Sequence, residues 1–210
     1  MPIHHPSTRV TRAATAARSQ IIDMLKDDHR QIKRAYREFL HLDAERNGDL
    51  CESIVRRTLA LLRVHATLEE ELVYPVMRPI VGEAEAVDEA EVEHEIIRYL
   101  GDQLEAASAI DEKFSARFAV MCEYLMHHVK EEEGELFPQL RRAKLDWEGL
   151  ASQVMERREA LLTAEGHESL LTSMHGEPPI DETGMLLRGP DVGRYPQREA
   201  GSINSRKIAD

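Results

Sequence analysis

The stretch His65-Ala66-Thr67-Leu68-Glu69-Glu70-Glu71-Leu72-Val73-Tyr74-Pro75 returns later in the chain as His128-Val129-Lys130-Glu131-Glu132-Glu133-Gly134-Glu135-Leu136-Phe137-Pro138. Both read His-x-x-x-Glu-Glu, then an aromatic residue and a proline. Each His also has a partner at a similar distance upstream, in Asp28-His29 and Glu93-His94. The chain therefore holds two similar halves, each supplying two histidines and one well-placed glutamate. Residues i and i+4 share a helix face, so His65 and Glu69 can reach one point in space, as can His128 and Glu132. One such pair is common on charged helices. Its repetition with matched flanking residues is specific, and four His plus two Glu converging in a helical bundle would make a metal site.

The surrounding periodicity supports such a bundle. Apolar residues step by three or four along about 19–43 (Leu25, Ile32, Tyr36, Phe39), 49–73 (Ile54, Thr58, Leu61, Leu68, Leu72), 84–108 (Val87, Ala90, Ile97, Leu104) and 111–137 (Phe114, Phe118, Met121, Leu125). His29, His65, His94 and His128 fall on these four stripes, where Leu or Ile would be expected. A polar group in a dry core must find a partner or cost stability. Asn47-Gly48 separates the first two helices, Pro75, Pro79 and Gly82 the second and third, and Pro138 follows the fourth. The organisation expected is a flexible arm over 1–18, a bundle over 19–141, an additional helix over 142–165, and an extended or disordered Gly/Pro-containing tail over 166–210. The additional helix (Trp147, Leu150, Val154, Leu161) is expected to pack on the bundle without joining its polar seam.

With 42% hydrophobic and only 5% aromatic residues, the composition favours soluble helices over sheets. The net charge of −12 argues against nucleic acid or an anionic membrane as partner. No apolar run approaches a membrane span, and a cytoplasmic location is the default expectation. Cys51 and Cys122 stand far apart, which supports neither a disulfide framework nor a thiolate metal site.

Several neighbours are read as secondary. His127 lies about 100° around the helix from His128 and is taken as a rim or surface residue. Glu70, Glu71, Glu131 and Glu133 form a solvated acidic face, any member of which could orient a ligand His. Glu91 is assigned to the surface. Tyr36, Tyr99 and Tyr124 are assigned to packing, with Tyr124 one turn before His128. His167 and His175 lie in the tail, away from any buried site.

Taken together, Asp28-His29-Arg30, His65-x-x-x-Glu69-Glu70, Glu93-His94 and His128-x-x-x-Glu132-Glu133 resemble the hemerythrin-like, HHE cation-binding domain over about residues 20–140. The resemblance implies an all-α, up-down-up-down four-helix bundle. It implies metal ligation by His29, His65, Glu69, His94, His128 and Glu132, holding two non-haem irons bridged by Glu69, Glu132 and an oxo or hydroxo group. The pattern departs from the oxygen carriers of that family. Ala90 and Arg98 stand where a further histidine would flank His94, and the fourth helix offers Glu132 four residues after its His rather than an Asp at five. The expected function is binding or sensing of O2, peroxide or nitric oxide. A di-iron enzyme decomposing hydrogen peroxide and a metal-independent helical interaction module stay open beside it. The sequence specifies no protein partner.

Overall fold

The computed structural model describes residues 11–82 and 85–165, all within one compact unit. Helix α1 spans Arg12–Phe39 and α2 Gly48–Leu68; α2 runs on through a π-helical turn, Glu69–Val73, into α3, Tyr74–Met77. Helix α4 is Glu85–Glu105. Helix α5, Phe114–Glu131, continues through a second π turn, Glu132–Leu136, into α6, Phe137–Arg142, and α7 is Trp147–Ala164. Helices α1, α2, α4 and α5 form the up-down-up-down bundle, and α7 packs on α1 and α2. None of the described helices is long and apolar enough to cross a membrane.

Two boundaries differ from expectation. Helix α1 begins at Arg12, so residues 12–18 of the expected arm are helical; Thr11 caps them, its hydroxyl accepting from Ala14 N–H at 3.0 Å. Pro75 and Pro138, expected as stops, sit inside continuous helices, whereas Pro79 lies in the turn after α3. A proline ring clashes with the carbonyl four residues back and donates no hydrogen bond. The widened turn just before each proline accommodates both defects: Tyr74 N–H donates to Glu69 C=O and Phe137 N–H to Glu132 C=O, each spanning five residues. Residues 1–10 and 166–210, with the expected tail, His167 and His175, lie outside the described residues.

Apolar packing divides the bundle along its length. One cluster gathers Ile21, Ile22, Leu25, Leu68, Met77, Val87 and Leu140; the other gathers Ile32, Phe39, Ile54, Phe114, Phe118 and Leu125. The four stripe histidines lie between them, so a polar layer is sandwiched in hydrocarbon and shielded from solvent.

Candidate metal centre

Each bundle helix delivers one imidazole to that layer: His29 from α1, His65 from α2, His94 from α4 and His128 from α5, all buried. The rings meet in pairs. Nε2 of His29 lies 3.0 Å from Nε2 of His65, and Nε2 of His94 lies 3.2 Å from Nε2 of His128. The opposite ring nitrogens face carboxylates. Nδ1 of His29 donates to Glu133, that of His94 to Glu70 and that of His128 to Glu93, each at 2.9 Å. Nδ1 of His65 stands 3.5 Å from Asp28, an electrostatic contact without hydrogen-bond geometry. A carboxylate on Nδ1 commits that nitrogen's proton outward and leaves the Nε2 lone pair pointing inward.

The two glutamates close the ring. Oε2 of Glu69 is 3.2 Å from His65 Nε2 and 3.6 Å from His94 Nε2. Oε2 of Glu132 is 3.3 Å from His29 Nε2 and 3.9 Å from His128 Nε2. Each carboxylate thus touches one imidazole of each pair. Both oxygens of Glu69 and Oε2 of Glu132 are buried with no hydrogen-bond partner. Orphaned buried oxygens and converging nitrogen lone pairs fit a cation, which satisfies all of them at once. Two overlapping donor sets result: His29, His65, Glu69 and Glu132 in one, and Glu69, His94 and His128 in the other, with donor atoms within 4.8 Å of one another in each.

Protonation in the bare cluster follows this charge pattern. Burial opposes charge on His65, yet Glu69 and Asp28 overcome it and hold the imidazole well above its ordinary value. Burial pulls His29 below its ordinary value against Glu132 and Glu133. Burial would raise Glu69, but His65 keeps it low; burial and the nearby Glu69 charge push Glu132 up. His94, helped by Arg98, holds Glu70 at about 2.

The residues around the ring are partly those expected. Glu70 and Glu133 leave the acidic face to hold His94 and His29. Glu71 pairs with Arg157 and Glu131 with His127 at the surface. Glu91 pairs with Arg78. Tyr36 lies against Phe118, but Tyr99 and Tyr124 are 67% and 45% exposed, so the packing role expected of them is wrong, and Tyr124 faces water rather than the cluster. Arg98 points outward to Glu70.

Three features were not anticipated. Asp28 and Glu93, each immediately before a stripe His, support the other histidine of their own half. Helix α7, expected to stay clear of the seam, reaches it: Arg158 makes a fork of two 2.7 Å bonds to Asp28. Burial raises the Asp28 carboxyl, but His65 and Arg158 bring it below its ordinary range. Finally, Tyr74 and Phe137 occupy equivalent places. Phe137 stacks on His29 and Tyr74 on His94, but only Tyr74 carries a hydroxyl, which donates to Glu132 Oε1 at 3.3 Å. Tyr74→Phe is expected to leave the number of bound ions unchanged and to lower the stability of the metal-free protein by about 1 kcal/mol. Denaturant unfolding with a parallel metal count checks this.

A family model described as Hemerythrin HHE cation binding domain matches residues 20–140. The chain belongs to the hemerythrin HHE cation-binding domain family. Membership carries cation binding, typically of iron, and among the described residues the buried His/Glu cluster has donors that could hold the cation. A solved HHE cation binding domain-containing protein from Mycobacterium kansasii shares the fold, with a TM-score of 0.56, 20% identity, and coverage of 72% of this chain and 96% of that one. A curated relative, a DNA nickase from Nostoc sp., is 26% identical over 132 residues, which make up 63% of this chain and 36% of the relative. The HHE chain thus spans about a third of that protein's length.

Proposed function

We propose that this chain holds two iron ions in the buried ring and binds or senses an oxygen-derived ligand there: O2, peroxide or nitric oxide. The observation that carries the reading is the closed alternation of four inward Nε2 atoms with two carboxylates whose oxygens lack partners. His29 and His65 would hold one ion, His94 and His128 the other, with Glu69 and Glu132 shared. A redox-active iron pair supplies reversible coordination and electron transfer to such ligands.

The chain's own residues set the surroundings. The outward carboxylates fix ring orientation and make the imidazoles stronger donors. Tyr74 directs one oxygen of Glu132 by holding the other. A cavity of about 300 Å³ reaches both His65 and His94; Leu59, Leu62, Ile97 and Leu125 line it, and Arg63 and Arg98 stand at its rim. Such apolar walls favour an uncharged small ligand over an ion.

The test is iron per chain after anaerobic reconstitution, with visible spectra before and after air, azide and nitric oxide. The expected result is two irons and a spectrum that responds to these ligands. Absence of retained iron would overturn the reading and leave a helical interaction module. Two irons with a spectrum indifferent to every ligand would overturn the sensing role.

A further inference from the structure

The two halves match closely inside the ring but not at its outer edge. In the first half, the positions flanking the repeat histidine are Val64 and Leu68, both buried, and the supporting carboxylate Asp28 is sealed under Arg158. The equivalent positions in the second half are His127, Glu131 and Glu93. All three carry metal-donor atoms, and all have solvent access.

We propose that His127, Glu93 and Glu131 form a loading site that captures a divalent transition-metal cation from solvent and passes it to the buried centre, a role that rests on the dinuclear reading above. His127 Nε2 lies 3.1 Å from Glu131 Oε1, one turn along α5, and 3.9 Å from Glu93 Oε1 on α4. The ligand atoms of the three residues sit within 4.8 Å of one another. One imidazole and two carboxylates suit Fe2+, Mn2+ or Zn2+ better than an alkali or alkaline-earth ion.

This triad stands beside a way in. A pocket of about 80 Å³ between α4 and α5 has Glu89, Glu93, Glu131 and Glu135 on its walls and His128 and Glu132 at its inner end. Glu132 is fully buried there, with Oε2 lacking a hydrogen-bond partner. Glu93 belongs to both places: Oε1 faces His127, while Oε2 accepts from His128 Nδ1. A cation at the triad is therefore one carboxylate away from a buried ligand. Acidic walls in a cleft concentrate cations and speed their arrival. The larger cavity on the His65–His94 side is mainly apolar; Arg63 and Arg98 stand in its lining beside Asp102 and Glu165, and Glu165 is already paired with Arg63.

The experiment uses the full-length metal-free chain and Fe2+ alone, mixed without oxygen. Chelator-resistant iron is counted against time. The double variant His127→Asn with Glu131→Gln changes only exposed side chains. It is expected to reach the same final iron count at least about tenfold more slowly. Arg63→Gln, at the rim of the apolar cavity, should load at the wild-type rate. Loading of the double variant at the wild-type rate overturns the proposal. So does a reduced final count, which would assign these residues to the buried centre itself. Wild-type protein that retains no iron removes the dinuclear reading together with this one, whereas two irons acquired at equal rates by both proteins remove this one alone.

Discussion

On the proposed dinuclear reading, Glu69→Gln is expected to empty the centre of both ions at once, with the helices still formed. Glu69 is shared by the two donor sets, and its Oε2 lies between His65 and His94. Glutamine keeps the volume but removes the charge and offers a single weaker oxygen donor. Loss of an outer carboxylate that merely orients a ligand costs about 10–100-fold in metal affinity. Loss of a shared inner carboxylate should exceed that, so iron retained after desalting should fall from two per chain to almost none. Glu70→Gln, which touches only the outer nitrogen of His94, should fall within the smaller range. Full iron retention by the Glu69 variant would remove Glu69 from the ligand set.

The second large effect is expected at Arg158→Met. Asp28 is completely buried, and its charge is matched by the Arg158 fork. Truncating one member of a buried pair leaves the other uncompensated, at about 3–5 kcal/mol. For a domain of this size that corresponds to a melting temperature lower by about 10 °C. Asp28 also faces His65 Nδ1, so metal affinity should drop by about 10–100-fold. Arg158→Lys should recover only part of either quantity, since an ammonium cannot make the planar fork. The neighbouring pair Arg157–Glu71 has the same geometry at 2.7 and 2.8 Å but stands in water. Arg157→Met should leave melting and metal affinity almost unchanged. Equal losses from both arginine variants would show that α7 acts only as a surface strap.

The contrast between those two arginines also marks what a sequence can reveal. His65, Glu69, His128 and Glu132 were legible because His-x-x-x-Glu is a local, helix-geometry signal and occurs twice, and His29 and His94 because each sits on an apolar stripe at a matched distance upstream. Their supports were not, because each is set by a contact between helices. Glu133 holds a histidine 104 residues away and Arg158 holds an aspartate 130 residues away. Charge alone could not separate Glu70 and Glu133 from Glu71 and Glu131, which look identical along the chain and end in different surroundings. Tyr99 and Tyr124 were misjudged because a tyrosine on a helix can face either way, and nothing local decides it.

Tyr74 was hidden for a different reason. At about 100° per residue, a position nine residues after His65 lies half a turn away, on the solvent side of a regular helix. The same counting selects Leu72 for the core, whereas Val73 is the residue fully buried. The widened turn absorbs about one residue of rotation, and every apolar position after Glu69 shifts accordingly.

The continuous helices α2–α3 and α5–α6 therefore each have a reading frame, and the frame changes once, at the glutamate. Upstream of the change, the inward phase delivers His65 and Glu69; downstream, it delivers Val73, Tyr74 and Met77, and likewise Leu136, Phe137 and Leu140 in the other half. A chain shortened by one residue within either turn would be the more regular helix. Its downstream face would still point inward; the full-length chain wound without the wide turn would instead carry its aromatic wall about 100° round, leaving His94 or His29 without the ring now stacked on it.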